Sequence, residues 1–295
     1  MKITKTQIKK WLAGCVFIFG AASFVVFPQI SGRGKLRVYF FSVGQGDAAL
    51  VRTAEGEDIL IDGGPNNDVL EKLGMSLPFF DRKIELVVLT HPHADHIFGL
   101  LEVLKRYEVD RVLMTDADNS TDFFKEWEKI LKDKNIQLEV ADRGDELKFG
   151  SVDMEILWPI NGMEVEDEEK KFNDNSVVFN LKYGENEFLF TGDATCEAEE
   201  EILELGDIWE TDEAGFEVLK VPHHGSKTSS CANFLEALKP DAAIISVGVN
   251  NKYNLPSLRT VKRLESYSQK VFRTDEDGDI VFVCDEKECE IKTGN

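Results

Sequence analysis

The chain has 295 residues, 42% hydrophobic and 30% charged, which supplies core for one large domain or two small ones and excludes a disordered chain. Acidic residues outnumber basic ones 55 to 34, for a formal net charge of −21. A surface of that sign repels polyanions at long range, which disfavours extended nucleic-acid binding unless a metal or a local basic groove intervenes.

The N-terminal stretch differs from the rest. Lys2, Lys5, Lys9 and Lys10 occur there without an acidic residue, and an unbroken apolar run follows from Trp11 to Phe27. A basic start before such a run reads as an export signal or a membrane anchor. The run sits at the lower limit for crossing a bilayer, about 17 residues, and Ala21-Ala22-Ser23 offers a small-residue cleavage site. Both fates stay open. The expected organisation is a signal or anchor with its linker over residues 1–34, then one folded domain over 35–295. That domain is expected outside the cytoplasm, tied to the membrane where the segment is retained, and no protein partner is defined.

Strand-like runs follow at 35–41, 48–52, 58–61 and 85–89. Apolar residues then recur at helical spacing over 99–107 and 121–131, with a short strand at 111–114 between them. In the second half, strands fit 152–157, 176–182, 187–190, 218–221, 242–246, 270–272 and 280–284. Helices fit 196–205, 232–238 and 257–267, and the stretches 162–171 and 206–215 read as surface loops. A meander followed by alternating strands and helices in both halves predicts two sheets packed face to face with helices outside. Of five cysteines, Cys284 and Cys289 flank a four-residue turn and can pair across a hairpin, whereas spacing says nothing about Cys196 and Cys231. No CxxC pair exists, which speaks against a cysteine zinc site.

The chemistry concentrates at strand ends. His91-Pro92-His93-Ala94-Asp95-His96 follows an apolar strand, and His91 and His93, two apart on extended chain, can project the same way. Asp95 and His96 are expected at the turn before a helix. Imidazole and carboxylate together suit zinc, manganese or iron; calcium wants oxygens throughout. The chain has five histidines, and the other two are adjacent, His223 and His224, again after a strand. Scattered structural histidines do not distribute in this way. Between the clusters, Phe188-Leu189-Phe190-Thr191-Gly192-Asp193 delivers a single aspartate after a buried strand, a candidate carboxylate bridge between two cations. Asp47 and Asp62, each beside glycine, are placed to orient ligand histidines or to cap turns. Ser226 and Lys227 are candidate phosphate contacts.

HPHADH, TGD and PHHGS in this order resemble the metallo-β-lactamase superfamily. Val43-Gly44-Gln45-Gly46-Asp47, Leu60-Ile61-Asp62-Gly63-Gly64 and Asn173-Asp174-Asn175-Ser176 are similar, more narrowly, to the hydrolase domain of ComEC-type competence proteins and its stand-alone relatives. The resemblance implies a four-layer αββα sandwich with a two-metal site at one edge of the paired sheets. It implies that His91 and His93 hold one divalent ion, zinc or manganese, that Asp95 and His96 hold the second, and that Asp193 bridges. One or both of His223 and His224 would complete the set, and Asp95, Asp193 and His224 are the residues expected to carry catalysis. No histidine lies between His96 and His223, where many superfamily members have a ligand. Asp174, Asn175 or Ser176 would reach the metal or hold its water there, against the alternative of a plain turn. The chain also has Ser42 before the Val-Gly-Gln-Gly-Asp segment, where the family commonly has aspartate, and Leu255 where it commonly has histidine.

A water shared by two cations loses a proton near neutral pH and attacks in line, which suits a phosphodiester. The expected activity is therefore an extracytoplasmic metal-dependent phosphodiesterase, with DNA suggested by the resemblance. A small molecule, a wall polymer or a phosphorylcholine ester is the alternative that the acidic surface favours, and a non-catalytic scaffold on the same fold is the third.

Overall fold

Short runs of β-branched and aromatic residues, many buried along their whole length, form the centre of the structure. The computed structural model of the protein describes residues 34–116, 120–160, 171–206, 208 and 215–294. The basic and apolar N-terminal segment, and most of the expected loops at 162–171 and 206–215, lie outside those residues. Among the described residues no helix is long and apolar enough to cross a membrane.

In chain order the strands are β1 (Leu36–Phe40), β2 (Ala49–Arg52), β3 (Asp58–Ile61), β4 (Lys83–Leu89), β5 (Glu108–Met114), β6 (Gln137–Val140), β7 (Glu146–Phe149), β8 (Val152–Trp158), β9 (Val178–Tyr183), β10 (Asn186–Phe190), β11 (Glu217–Lys220), β12 (Ala242–Ile245), β13 (Lys270–Arg273), β14 (Ile280–Cys284) and β15 (Cys289–Thr293). They form an eight-stranded sheet, β15-β14-β1-β2-β3-β4-β5-β6, and a seven-stranded sheet, β13-β12-β11-β10-β9-β8-β7. The helices longer than one turn are α1 (Asp68–Ser76), α2 (Ala94–Arg106), α3 (Asp122–Lys134), α4 (Cys196–Glu204), α5 (Ala232–Leu238) and α6 (Leu258–Tyr267).

Three apolar clusters account for the layering. One lies between the sheets, where Phe40 and Phe282 of the first meet Phe179 and Phe190 of the second. The Phe179 and Phe190 rings stack at 4.9 Å, and Phe40 stacks on Phe190 at 5.6 Å. Pairs of this kind contribute about 0.5–1.5 kcal/mol each beyond their buried area. A second cluster, with Leu73, Leu100, Val103 and Trp127, packs α1, α2 and α3 on the outer face of the first sheet. The third, with Ala198, Phe234, Leu235 and Leu264, packs α4, α5 and α6 on the second. The result is the expected helix–sheet–sheet–helix order.

Several elements escape the sequence pattern. Strand β6 is a mostly exposed edge strand that alternates polar and apolar residues over only four positions. Helix α1 buries only Val69 and Leu73. Helix α2 starts at Ala94, five residues before the first apolar period, which moves Asp95 and His96 from the preceding turn into the helix itself. Cys284 and Cys289 are disulfide-bonded across the β14–β15 hairpin, and Cys196 and Cys231 are bonded between the starts of α4 and α5, with Cα atoms 4.1 and 5.5 Å apart.

Candidate metal centre

Parallel pairing sends the C-terminal ends of β3 and β4 the same way in one sheet, and those of β10, β11 and β12 in the other. Asp62, His91, Asp193, His223 and Ser246 each come within three residues of such an end, which is why residues far apart in sequence converge at one edge of the sandwich.

Helix α2 can reach that edge because two glycines let it approach the chain after β3. Gly63 donates its N–H to the His96 carbonyl at 2.7 Å, and Gly99 donates to Gly64 at 3.1 Å. A Cβ on Gly99 would stand 1.9 Å from the Gly63 carbonyl oxygen. This contact sets the depth of Asp95 and His96, in the first turn of the helix. Asp62 then holds the neighbouring parts together: it accepts the Thr90 N–H at 2.9 Å, the Thr90 hydroxyl at 2.7 Å and the His96 Nδ1 proton at 2.8 Å. His96 is thereby locked with Nε2 facing Asp193 Oδ1, 3.5 Å away.

Asp193 is presented by a tight turn. Gly192 has φ +49°, and a Cβ there would meet Ser176 and Thr90 at 2.9 Å. The Ser176 hydroxyl accepts the Asp193 N–H at 3.1 Å. At the end of the neighbouring parallel strand β11, Pro222–Gly225 forms a single 3₁₀ turn in which His223 and His224 both have positive φ, +49° and +51°. Left-handed backbone in two successive non-glycine residues costs on the order of 1–3 kcal/mol each and is held only where the surroundings demand it. Here it brings the His224 Nδ1–H onto the Ser246 carbonyl at 2.9 Å, with Asp47 Oδ1 at 3.2 Å.

Two groups of donors result. His91, His93 and Asp193 form one; Asp95, His96 and His224 form the other, and within each the donor atoms lie within 4.8 Å of one another. Asp193 connects them, 3.7 Å from His91 Nε2 and 3.8 Å from His224 Nε2. His96 Nε2, His224 Nε2 and Asp193 Oδ1 are all buried and have no hydrogen-bond partner among the described residues. An unpartnered buried polar atom costs about 1–3 kcal/mol. Three of them converging from imidazole and carboxylate fit two divalent cations, zinc or manganese among them.

Charge in the metal-free site follows the same geometry. Burial raises Asp193, but His224 and His96 outweigh it and hold the carboxyl well below the usual range. Burial opposes the proton on His224, yet Asp193 and Asp47 push that ring up to about 10, and His96 is raised in the same way by Asp193 and Asp62. His91 goes the other way, lowered by burial and by the His96 charge. Protons on His96 and His224 thus balance the carboxylates where a cation would, and a cation that binds must displace them.

The remaining candidates fall into place unevenly. His224 belongs to a donor group, while His223 stands outside both, 28% exposed, with Nε2 4.0 Å from Asp193. Its ring is steadied by Thr228 at 3.4 Å, and the Ser226 hydroxyl bonds to Thr228, so Ser226 supports His223 and does not project outward. Lys227 is exposed. Asp174 accepts the Thr195 hydroxyl at the start of α4, Asn175 is half-buried, and the Ser176 hydroxyl accepts the Asp193 N–H. Leu255 packs into the helix-side core of the second sheet.

Lys220 was not anticipated. It is 4% exposed, its ammonium 2.5 Å from Asp47 Oδ2 and 2.9 Å from the Val221 carbonyl. Burial raises Asp47, but Lys220 and His224 bring it down to about 2. A single lysine at the end of the apolar run Val218-Leu219-Lys220-Val221 was the available signal.

Comparison with known proteins identifies the family and the fold. The chain is 29% identical over 274 residues to ComE operon protein 3 of Bacillus subtilis, covering 87% of this chain and 34% of that protein. It is 29% identical over 262 residues to Recombination protein 2 of Haemophilus influenzae, covering 87% and 30%. The chain therefore spans about a third of the length of these relatives. In fold it is similar to the metallo-beta-lactamase fold protein YhfI from Bacillus subtilis, with a TM-score of 0.54, 12% identity, and coverage of 87% of this chain and 99% of that one. It is also similar to Tm1679, a metal-dependent hydrolase of the beta-lactamase superfamily, with a TM-score of 0.51, 16% identity, and coverage of 86% and 98%. Residues 42–249, which hold every candidate donor, match the Metallo-beta-lactamase superfamily, and the chain belongs to that superfamily, with relatives among the competence proteins.

Proposed function

We propose that the protein is a metal-dependent phosphodiesterase working outside the cytoplasm. The observation that carries this reading is the pair of buried donor groups joined through Asp193, with unpartnered nitrogen and oxygen atoms converging between them. His91, His93 and Asp193 would hold one divalent cation and Asp95, His96 and His224 the other. Bound there, the pair supplies Lewis acidity toward a phosphoryl oxygen and lowers the pKa of a water to near neutrality.

The protein's own residues prepare that chemistry. Asp62 selects the His96 tautomer, and the Ser246 carbonyl does the same for His224, so both rings aim Nε2 inward. The backbone of Asp193 is held by Ser176, which keeps Oδ2 between His91 and His224 and Oδ1 at His96. Burial of His91, His96 and His224 excludes bulk water from one side and leaves His93, Asp95 and His223, all partly exposed, on the side where a substrate enters. The placement outside the cytoplasm draws support from two disulfides, which persist in oxidising compartments, and from the basic and apolar start of the chain.

The test is direct. The full chain is loaded with zinc or manganese, its metal content measured, and bis-p-nitrophenyl phosphate, single-stranded DNA and p-nitrophenyl phosphorylcholine are offered. Two equivalents of metal and cleavage abolished by a chelator are expected. Cleavage of the choline ester alone would move the substrate to that class, and failure to bind metal would leave a scaffold on this fold.

A further inference from the structure

The turn between α1 and β4 exposes apolar side chains that the fold does not use. Met75, near the end of α1, is 65% exposed, and Phe79 and Phe80 follow at 73% and 91%. Phe80 is the most exposed large apolar side chain among the described residues. Both phenylalanines occupy the central positions of a turn closed by the Asp81 N–H on the Pro78 carbonyl at 2.7 Å. Glycine, proline, asparagine, aspartate and serine are the ordinary choices in turns.

The tip is carried on a firm base. Leu77 is buried against the outer face of the first sheet, Arg52 donates to Asp81 Oδ2 at 3.1 Å, and the Glu108 N–H donates to the Arg82 carbonyl at 2.8 Å. The two rings meet edge to face at 4.9 Å. Phenyl rings held in water forgo the free energy that burial would return. Apolar groups gathered at an exposed, braced tip mark a surface that meets a partner.

The position of the turn identifies that partner. Strand β1 begins and β2 ends at one end of the first sheet, where the Gly34 N–H donates to the Ala54 carbonyl at 3.2 Å and Arg52 reaches Asp81. The described chain therefore starts at the sheet end that carries the phenylalanines. Strands β1 and β4 are three strand spacings apart, about 14 Å. In the sequence, residues 28–33 separate Gly34 from the apolar run Trp11–Phe27. Six residues span at most about 20 Å, so a bilayer that takes up that run lies within reach of the turn. The metal donors stand at the other end of the sheet, beyond the seven residues of β4, a length of about 23 Å. Glu55 and Asp285, exposed at the same end as the turn, oppose attraction to an anionic surface. Contact at this end is therefore made by apolar insertion.

We infer that Met75, Phe79 and Phe80 form a foot that enters the headgroup region of a zwitterionic phospholipid bilayer and holds the metal centre on the far side of the domain. Aromatic and long apolar side chains suit that boundary, where they displace water without crossing the membrane. The contact does not depend on which bond the metal centre cleaves.

Fluorescence quenching on the full chain in phosphatidylcholine nanodiscs tests this. Cys15→Ser leaves no free thiol beside the two disulfides, so one environment-sensitive dye can be attached through Met75→Cys. A second protein carries the dye through Asn67→Cys at the opposite end of α1, where the native side chain makes no capping bond. Nitroxide-bearing phosphatidylcholine should quench the Met75 label and place it about 5–10 Å into the headgroup–acyl boundary. Aqueous iodide should quench the Asn67 label and spare the Met75 label. Adding Phe79→Ser with Phe80→Ser should return the Met75 label to iodide with the circular dichroism spectrum unchanged, whereas Phe79→Leu with Phe80→Leu should keep it in lipid. A Met75 label open to iodide before those changes, or unmoved by the serine pair, would overturn the foot. A label shielded from iodide yet untouched by the lipid nitroxide would overturn the bilayer in favour of protein, a second copy or the apolar run itself. Equal lipid quenching at Asn67 would overturn the orientation. All of these are read without metal or diester, so they are distinct from failure of the phosphodiesterase reading.

Discussion

Lys220→Met removes one ammonium from beneath the metal centre and keeps most of the side-chain stem. Asp47, its partner at 2.5 Å, is 5% exposed, so water does not take the place of the lost charge. Breaking a buried pair by deleting one member costs about 3–5 kcal/mol, because the other charge is left in a poor dielectric. Asp47 keeps a second cationic neighbour, the His224 ring 3.2 Å away, which holds its proton to about pH 10 in the metal-free protein. The loss should therefore sit near the lower end, about 3 kcal/mol. For a domain of this size 1 kcal/mol moves Tm by about 2–4 °C, so the metal-free variant should melt about 6–12 °C below wild type at pH 7. Scanning calorimetry of the full chain in chelator reads this directly. Adding Asp47→Leu to Lys220→Met removes both charges and should recover most of the loss, since an apolar pair of similar volume is often no worse than the ion pair. A single variant that melts within about 2 °C of wild type, or a double variant that melts lower than the single, would refute the buried-pair account.

Asp193→Ala should bind fewer than two metal equivalents and lose measurable diester hydrolysis while keeping the wild-type circular dichroism spectrum; unchanged turnover would remove its bridging role. Asp62→Ala frees the His96 ring, and should weaken metal affinity about 10–100-fold, read by competition with a chromophoric chelator. Metal affinity should rise with pH between 6 and 8, because His96 is raised well above its ordinary pKa and His224 lies at about 10, so each gives up a proton when a cation binds. With two protons released the affinity should gain about two log units per pH unit, and a flat profile would show that neither ring is protonated in the metal-free site. Reducing the disulfides should lower Tm by a larger amount for Cys196–Cys231, which closes a 35-residue separation, than for Cys284–Cys289, which closes five; comparison of the two Cys→Ser pairs by thermal melting checks the order.

Much of the metal centre is legible without a structure, because its chemistry is local. His91, His93, Asp95 and His96 fall within six residues after one strand, and Asp193 and His224 follow strands of their own. A strand end fixes where a side chain starts, and five histidines confined to two such ends leave little else for them to do. The packed layers are legible for a related reason: β3, β4, β10 and β12 are largely apolar runs, as strands covered on both faces must be. Edge strands β6 and β15 lack that signature because one side of each pairing faces solvent.

Other assignments depend on chain segments meeting across the fold. Nothing in the sequence distinguishes His223 from His224; two left-handed residues in succession send one ring into a donor group and leave the other beside it. Asp174 and Ser176 are two residues apart, yet one bonds to the start of α4 and the other to Asp193. Lys220 gains its importance only when β11 lies beside the loop that carries Asp47. The sequence by itself determined the ligand types, the strands that present them and the layered fold, all set by contacts between near neighbours. The tertiary structure decided which donors stand together and what orients them, because those depend on distances between residues that the chain does not keep together.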